Sequence, residues 1–312
     1  MKRILSIDGG GIKGVVPAAF LAQLEEALGE SVTHFFDLIA GTSTGGIIAL
    51  GLGLGMPAVD ILRFYERLGP AVFAGNRLGG ALRRIGFAKY HSEPLRRALE
   101  ATFGEKTLGE SRSRLVIPAL NLETGEVHLY KTAHHPRFEV DYRERAVEVA
   151  LATAAAPTYF PAHRSAKGIP LIDGGVWANN PTGLAVVEAV GVLNWPRDAT
   201  WVLSLGCVTE PLRVGVARSL PLGLGYWAMK VTDVFMTAQS FSSLGTAYVL
   251  IGHEHVLRVS PTIDRGRFSL DSAKEIPSLR GLGASEARKA LPRVRELFCQ
   301  THVEPFVPFQ PP

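Results

Sequence analysis

The chain has 312 residues, 46% of them hydrophobic and 20% charged, which excludes a disordered chain and leaves ample length for a large core. Its two cysteines, Cys207 and Cys299, exclude a disulfide scaffold and fit a reducing, cytoplasmic setting. The net charge of +4 is too small to argue for a nucleic-acid polymer as partner.

Short apolar runs alternate with helical stretches, which predicts an α/β fold. Residues 4–7 predict a buried strand, residues 9–14 a glycine turn and residues 15–28 a helix. A second strand is expected over 35–40, a second turn over 41–45, and a small-residue helix from Gly46 onward. Residues 115–120 and 127–130 read as strands, and residues 143–155 as a helix ended by Pro157. The apolar pair Leu171–Ile172 runs into a third glycine turn at 173–175. Asn180 is placed to cap a helix over 181–192, with Pro181 at its first position. Residues 201–205 and 256–259 read as strands, 261–284 as loop-rich, and the tail after Val303 as extended.

No repeat or Ser/Gly linker divides the chain, so 1–312 reads as one domain, with its motifs in 1–210 and 211–312 completing the fold. The start, MKRILSIDGGG, has too few apolar residues before Asp8 for a secretion signal. The longest weakly charged stretch, 38–59, is interrupted by glycines and Pro57, so no membrane-spanning helix is expected. The positive surplus sits in two acid-free segments, 71–90 (Arg77, Arg83, Arg84, Lys89) and 211–230 (Arg213, Arg218, Lys230). Both also carry large apolar residues, as a lid or a lipid-facing surface would.

Three glycine turns carry the chemistry. Gly41-Thr42-Ser43-Thr44-Gly45 fits G-x-S-x-G between a strand and a helix, a setting that lifts a serine hydroxyl clear of the backbone. Asp8-Gly9-Gly10-Gly11-Ile12-Lys13-Gly14 can converge backbone N–H groups on an anion at a helix start. That anion is either the oxyanion of acyl transfer or a phosphate, since Gly9, Gly11 and Gly14 also satisfy G-x-G-x-x-G of a dinucleotide-binding oxidoreductase. In Asp173-Gly174-Gly175 a strand-end aspartate can serve as a base if burial raises its pKa, or merely close an Asx turn. His253, His255 and His302 follow Asp173, but none sits in a glycine-rich turn suited to a triad; His128, His134, His135 and His163 lack evident partners for a metal site.

At these residues the sequence resembles the patatin-like phospholipases. DGGGIKG, GTSTG and DGG stand in the family's order, and the flanks FDLIAGTSTGG, AAPTYFPA and LIDGGVWANNP match as well, over about residues 1–210. The resemblance implies a three-layer α/β/α fold with a mostly parallel central sheet. It implies Ser43 as nucleophile and Asp173 as base without histidine, with an oxyanion hole from the N–H groups of Gly9, Gly10 and Gly11 and with Lys13 nearby. Gly14, Gly41, Gly45, Gly174 and Gly175 would shape the turns. The implied activity is phospholipase A or lysophospholipase hydrolysis of glycerophospholipids, with no metal or cofactor, at the inner face of the membrane. The compact length and the FDLIAGTSTGGIIALGL run resemble the bacterial members, some of which act in anti-phage defence and are switched on by cyclic dinucleotides. Rival readings are the oxidoreductase, an acyltransferase that passes the acyl group to an alcohol, and a non-catalytic lipid-binding protein.

Overall fold

Residues on the central strands alternate between two apolar layers, and that alternation sets the architecture. Ile4, Leu38, Ala40, Val116 and Val202 pack to one side, against Ala185, Val186, Ala247 and Ile251. Leu5, Ile7, Ile39, Leu115, Ile117, Leu203 and Leu205 pack to the other, against the larger helical layer that includes Val15, Leu21, Ile48, Ile61 and Leu279. A sheet buried on both faces by helices is the expected three-layer α/β/α fold. The computed structural model describes residues 1–72, 88–211, 224–264 and 266–311.

The elements that place the site are β1 (Lys2–Ile7), α1 (Val15–Leu28), β2 (Leu38–Gly41), α2 (Thr44–Gly53), α3 (Ala58–Val72), α4 (Glu93–Phe103), β3 (Arg114–Asn121), β4 (Val127–Lys131), α5 (Ala146–Thr153), β5 (His163–Arg164) and β6 (Pro170–Asp173). They are followed by α6 (Gly175–Ala178), α7 (Thr182–Val187, running on through a wider π-turn to Val192), β7 (Thr200–Leu205), α8 (Leu224–Ile251), β8 (Val256–Val259) and α9 (Ile276–Phe298). β1 pairs in parallel with β2 and β7, β2 with β3, and β7 with β8; β3 pairs antiparallel with β4 and β6, and β5 with β6.

The register on β3 decides where the site forms. Val116 pairs with both Ala40 and Lys131, and Ala119 with both His128 and Asp173. β4 therefore fills one edge of β3, while β2 and β6 share the other, one after the other. Because β2 runs parallel to β3 and β6 antiparallel, their carboxyl ends meet head to head, which brings the turn after Gly41 to the turn after Asp173.

The structure departs from the sequence reading in several places. The second strand starts at Leu38 rather than residue 35, because residues 32–35 form a 3-10 turn capped by Ser31. Residues 141–143 form a separate 3-10 turn before α5 starts at Ala146. Residues 276–284, expected as loop-rich, open the 23-residue α9. The 28-residue α8 has no counterpart in the sequence reading, and neither have α3 and α4. Most of 71–90 and of 211–230 lies outside the described residues; within them, Lys89 pairs with Asp271, whose carboxylate also accepts the Tyr90 hydroxyl at 2.6 Å.

Candidate active site

Ser43 stands on the turn between β2 and α2 with φ 56° and ψ −123°, a left-handed conformation that a side chain rarely adopts. The turn is tight enough that a methyl group at Gly41 would overlap the Gly45 carbonyl, and one at Gly45 the Ile7 carbonyl. Glycine at both positions is thus a steric requirement of the elbow. The Ser43 N–H donates to Thr153 Oγ1 at 3.0 Å, and the Thr153 hydroxyl donates to the Pro118 carbonyl at 2.6 Å.

The Ser43 hydroxyl donates to Asp173 Oδ2 at 2.6 Å, across 130 residues of chain. The other carboxylate oxygen of Asp173 accepts the Gly175 N–H at 2.6 Å, and its own N–H donates to the Ala155 carbonyl at 3.0 Å. Burial pushes the Asp173 carboxyl up to about 6, against the opposing pull of the Ser43 and Gly175 hydrogen bonds. A buried carboxylate raised toward neutrality, hydrogen-bonded to a serine on a strained elbow, is an acceptor matched to a proton of that serine. Gly174 packs on the Pro118 carbonyl, so this turn and Thr153 grip the same peptide of β3.

The first glycine turn reaches the same place but does not offer all its donors. The Gly9 N–H donates to the Asn179 carbonyl at 2.9 Å, so it is already committed. The Gly10 N–H donates to Thr44 Oγ1 at 3.1 Å. Gly10 and Gly11 line the cavity in front of Ser43; Gly9 does not. Lys13 Nζ pairs with Glu210 Oε1 at 2.6 Å rather than pointing at Ser43, and Gly14 closes the turn against the Thr44 side chain. The loop is held at its root by Asp8, whose buried carboxylate takes both guanidinium nitrogens of Arg258 at 2.8 and 2.5 Å.

The cavity has a volume of about 410 Å³ and walls that are mostly apolar, including Phe64, Val72, Leu95, Phe160 and Met236. Tyr65, which donates to the Thr44 carbonyl at 2.9 Å, joins the wall to the elbow. No histidine lines it among the described residues. His255 lies tilted against Trp201, His253 against Tyr248, and His302 bonds Glu30, so none completes a triad here. His134 and His163, expected without partners, face Glu188 and Glu148 at 3.0 and 3.1 Å. The donors of Glu30, His34 and His302 converge at the surface and include no residue of the cavity.

Sequence reasoning missed Thr153, Arg258, Tyr65 and Gln239, which accepts the Asn179 N–H at 2.7 Å. Only Thr153 had a local signal, as the polar residue in an otherwise apolar helix end just before AAPTYFPA.

A family model described as patatin-like phospholipase matches residues 5–186. Among curated relatives, a cGAMP-activated phospholipase of Pseudomonas aeruginosa is 39% identical over 77% of this chain and 72% of its own length. Proteins of the same description from Escherichia coli and Vibrio cholerae are 34% and 36% identical, over 67% and 60% of this chain. In these two, the matched stretch spans 62% and 57% of the relative.

Proposed function

The chain belongs to the patatin-like phospholipase family, and from that premise we propose that it hydrolyses acyl esters of membrane glycerophospholipids with Ser43 as nucleophile and Asp173 as base. The observation that carries this reading is the 2.6 Å hydrogen bond between Ser43 Oγ and Asp173 Oδ2 at the floor of an apolar cavity.

In the reaction, Ser43 Oγ attacks the ester carbonyl while its proton passes to Asp173. The tetrahedral oxygen is met by the Gly11 N–H, and by the Gly10 N–H as it leaves Thr44 Oγ1. Such donors are worth about 10²–10³ in rate each. The leaving alkoxide takes the proton from Asp173 and departs as an alcohol, for a diacyl substrate a lysophospholipid. Water then gives a proton to Asp173, adds to the acyl-enzyme and releases the fatty acid, and Ser43 recovers its proton. The apolar walls accommodate the acyl chain and keep bulk water from competing with the hydrogen bonds.

The dinucleotide-binding alternative is set aside by the family match. It also has little physical support, because the Gly9 N–H is taken by Asn179 and Asp8 is paired with Arg258. An acyltransferase remains a variant of the same chemistry, with an alcohol in place of water. We further propose a cyclic dinucleotide as activator, in a cytoplasmic, defence-related setting. The activator is supported by the description of three relatives as cGAMP-activated; the setting rests on the resemblance to bacterial members of the family alone.

The test is lipid profiling of phospholipid vesicles treated with the purified chain and with Ser43→Ala and Asp173→Asn, with and without cyclic dinucleotides. Free fatty acid from the wild type, and a loss of about a thousandfold or more in both variants, is expected. Wild-type turnover by either variant overturns the dyad. Transfer to added alcohol exceeding hydrolysis favours the acyltransferase, and rates indifferent to every dinucleotide remove the activator.

A further inference from the structure

Helix α8 is long and nearly charge-free, and its outer side from Phe235 onward is exposed. From Val234 to Gly252 it has no Asp, Glu, Lys or Arg. The segment Val234–Ile251 is long and apolar enough to cross a bilayer by length and composition, yet its inner side is fixed to the fold. Gln239 accepts the Asn179 N–H at 2.7 Å, Ser240 Oγ accepts Asn180 Nδ2 at 3.1 Å, and Ser243 Oγ accepts the Gly183 N–H at 2.8 Å. Ala247 and Ile251 enter the core. These inward residues leave the opposite side to solvent: Phe235, Phe241 and Val249 are 68%, 66% and 85% exposed. At the helical repeat, Phe235, Ala238, Phe241, Ser242, Gly245 and Val249 fall within roughly a third of the circumference. A soluble surface seldom carries an apolar stripe of this kind without something to cover it.

Its position identifies what covers it. Thr232 and Met236, about 60° and 100° round the helix from Phe235 toward its inner side, line the Ser43 cavity, so Phe235 stands beside the cavity wall. Val176 and Leu270 line the same cavity and are 46% and 41% exposed, so apolar side chains stand on the rim as well, beside Pro157, Thr158 and Thr232. A protein seated on Phe235 would lie over this rim and obstruct the entry. A bilayer that takes up the same side chains instead presents acyl esters to it. We propose that the outer arc of α8, with Phe235, Phe241 and Val249, is a lipid-docking surface that seats the mouth of the cavity on the membrane. This rests on the acyl-hydrolase reading above.

The experiment compares the full chain with Phe235→Ser/Phe241→Ser, and separately with Val249→Asp, on two substrates. One is a soluble ester, p-nitrophenyl butyrate; the other is phosphatidylcholine/phosphatidylglycerol vesicles. Co-sedimentation with vesicles is measured in the Ser43→Ala background, so binding is read without turnover. We expect vesicle binding and vesicle hydrolysis to fall by about tenfold or more in the double variant. Val249→Asp weakens both in the same direction. Hydrolysis of the soluble ester stays within about twofold of wild type, which also reports an intact fold. Unchanged vesicle binding in both variants overturns the proposal. So does light scattering in which the double variant turns a wild-type oligomer into monomer while vesicle hydrolysis is retained; the arc is then an interface between copies. A wild type that binds vesicles through this arc but hydrolyses neither substrate overturns the hydrolase reading and leaves the docking surface standing.

Discussion

Thr153 stands directly behind Ser43. Its Oγ1 accepts the Ser43 N–H at 3.0 Å, and its own hydrogen goes to the Pro118 carbonyl at 2.6 Å, so one hydroxyl ties the strained elbow to the centre of the sheet. Thr153→Val keeps the shape and removes both bonds, leaving a half-buried N–H unpaired. We expect kcat to drop by about 10- to 100-fold with KM little changed, and Thr153→Ser to restore most of it. Steady-state kinetics on a soluble ester decides this; a valine variant with wild-type kcat means the elbow holds without the threonine.

The acid limb of activity should report Asp173. With its carboxyl pushed up to about 6 by burial, the base is protonated below that pH and cannot take the serine proton. The expected profile of kcat/KM climbs about tenfold per pH unit up to about pH 6 and is flat above it. A profile that stays flat down to pH 4.5 removes Asp173 as the base.

The same carboxyl should cost stability. It titrates at 3.8 in an ordinary setting and at about 6 in the folded chain, so between those values the native state holds more protons than the unfolded one. Stability from this group therefore falls as pH rises through the window, and the loss is complete above about pH 6. The gap corresponds to on the order of 3 kcal/mol. Asp173→Asn should raise the denaturation midpoint in urea at pH 8, less so at pH 5, and not at all below pH 4. Equal midpoints for the two proteins at every pH would refute this.

Arg258 and Asp8 form a two-point ion pair that anchors the glycine turn beneath the cavity, with a third bond from Arg258 to Ser204 Oγ at 2.8 Å. Arg258→Met leaves a buried carboxylate without its partner and should destabilise the chain by about 3–5 kcal/mol. Asp8→Asn/Arg258→Met, which removes both charges, should recover part of that. A double-mutant cycle from chemical denaturation measures the coupling; additive losses would mean the pair contributes little beyond packing.

The turn chemistry is written locally. A serine elbow needs glycine at Gly41 and Gly45 because of backbone approach within a few residues, and an aspartate before two glycines at a strand end reads the same way in any fold. Buried strands also announce themselves as short apolar runs, so much of the sheet was visible along with Ser43, Asp173 and the Gly9–Gly14 turn. Which N–H groups of that turn stay available was not visible, because the partner of Gly9 is Asn179, 170 residues away. Arg258 was hidden for the same reason, its partner Asp8 lying 250 residues away. Helix α8 is not legible in the sequence because its exposed face is as apolar as its buried one, so it lacks the polar periodicity that marks a surface helix. The meeting of Ser43 with Asp173 belongs to the tertiary structure, since it depends on β2 and β6 sharing one edge of β3 from opposite directions. Strand register is set by packing across the whole sheet, and no local segment encodes it.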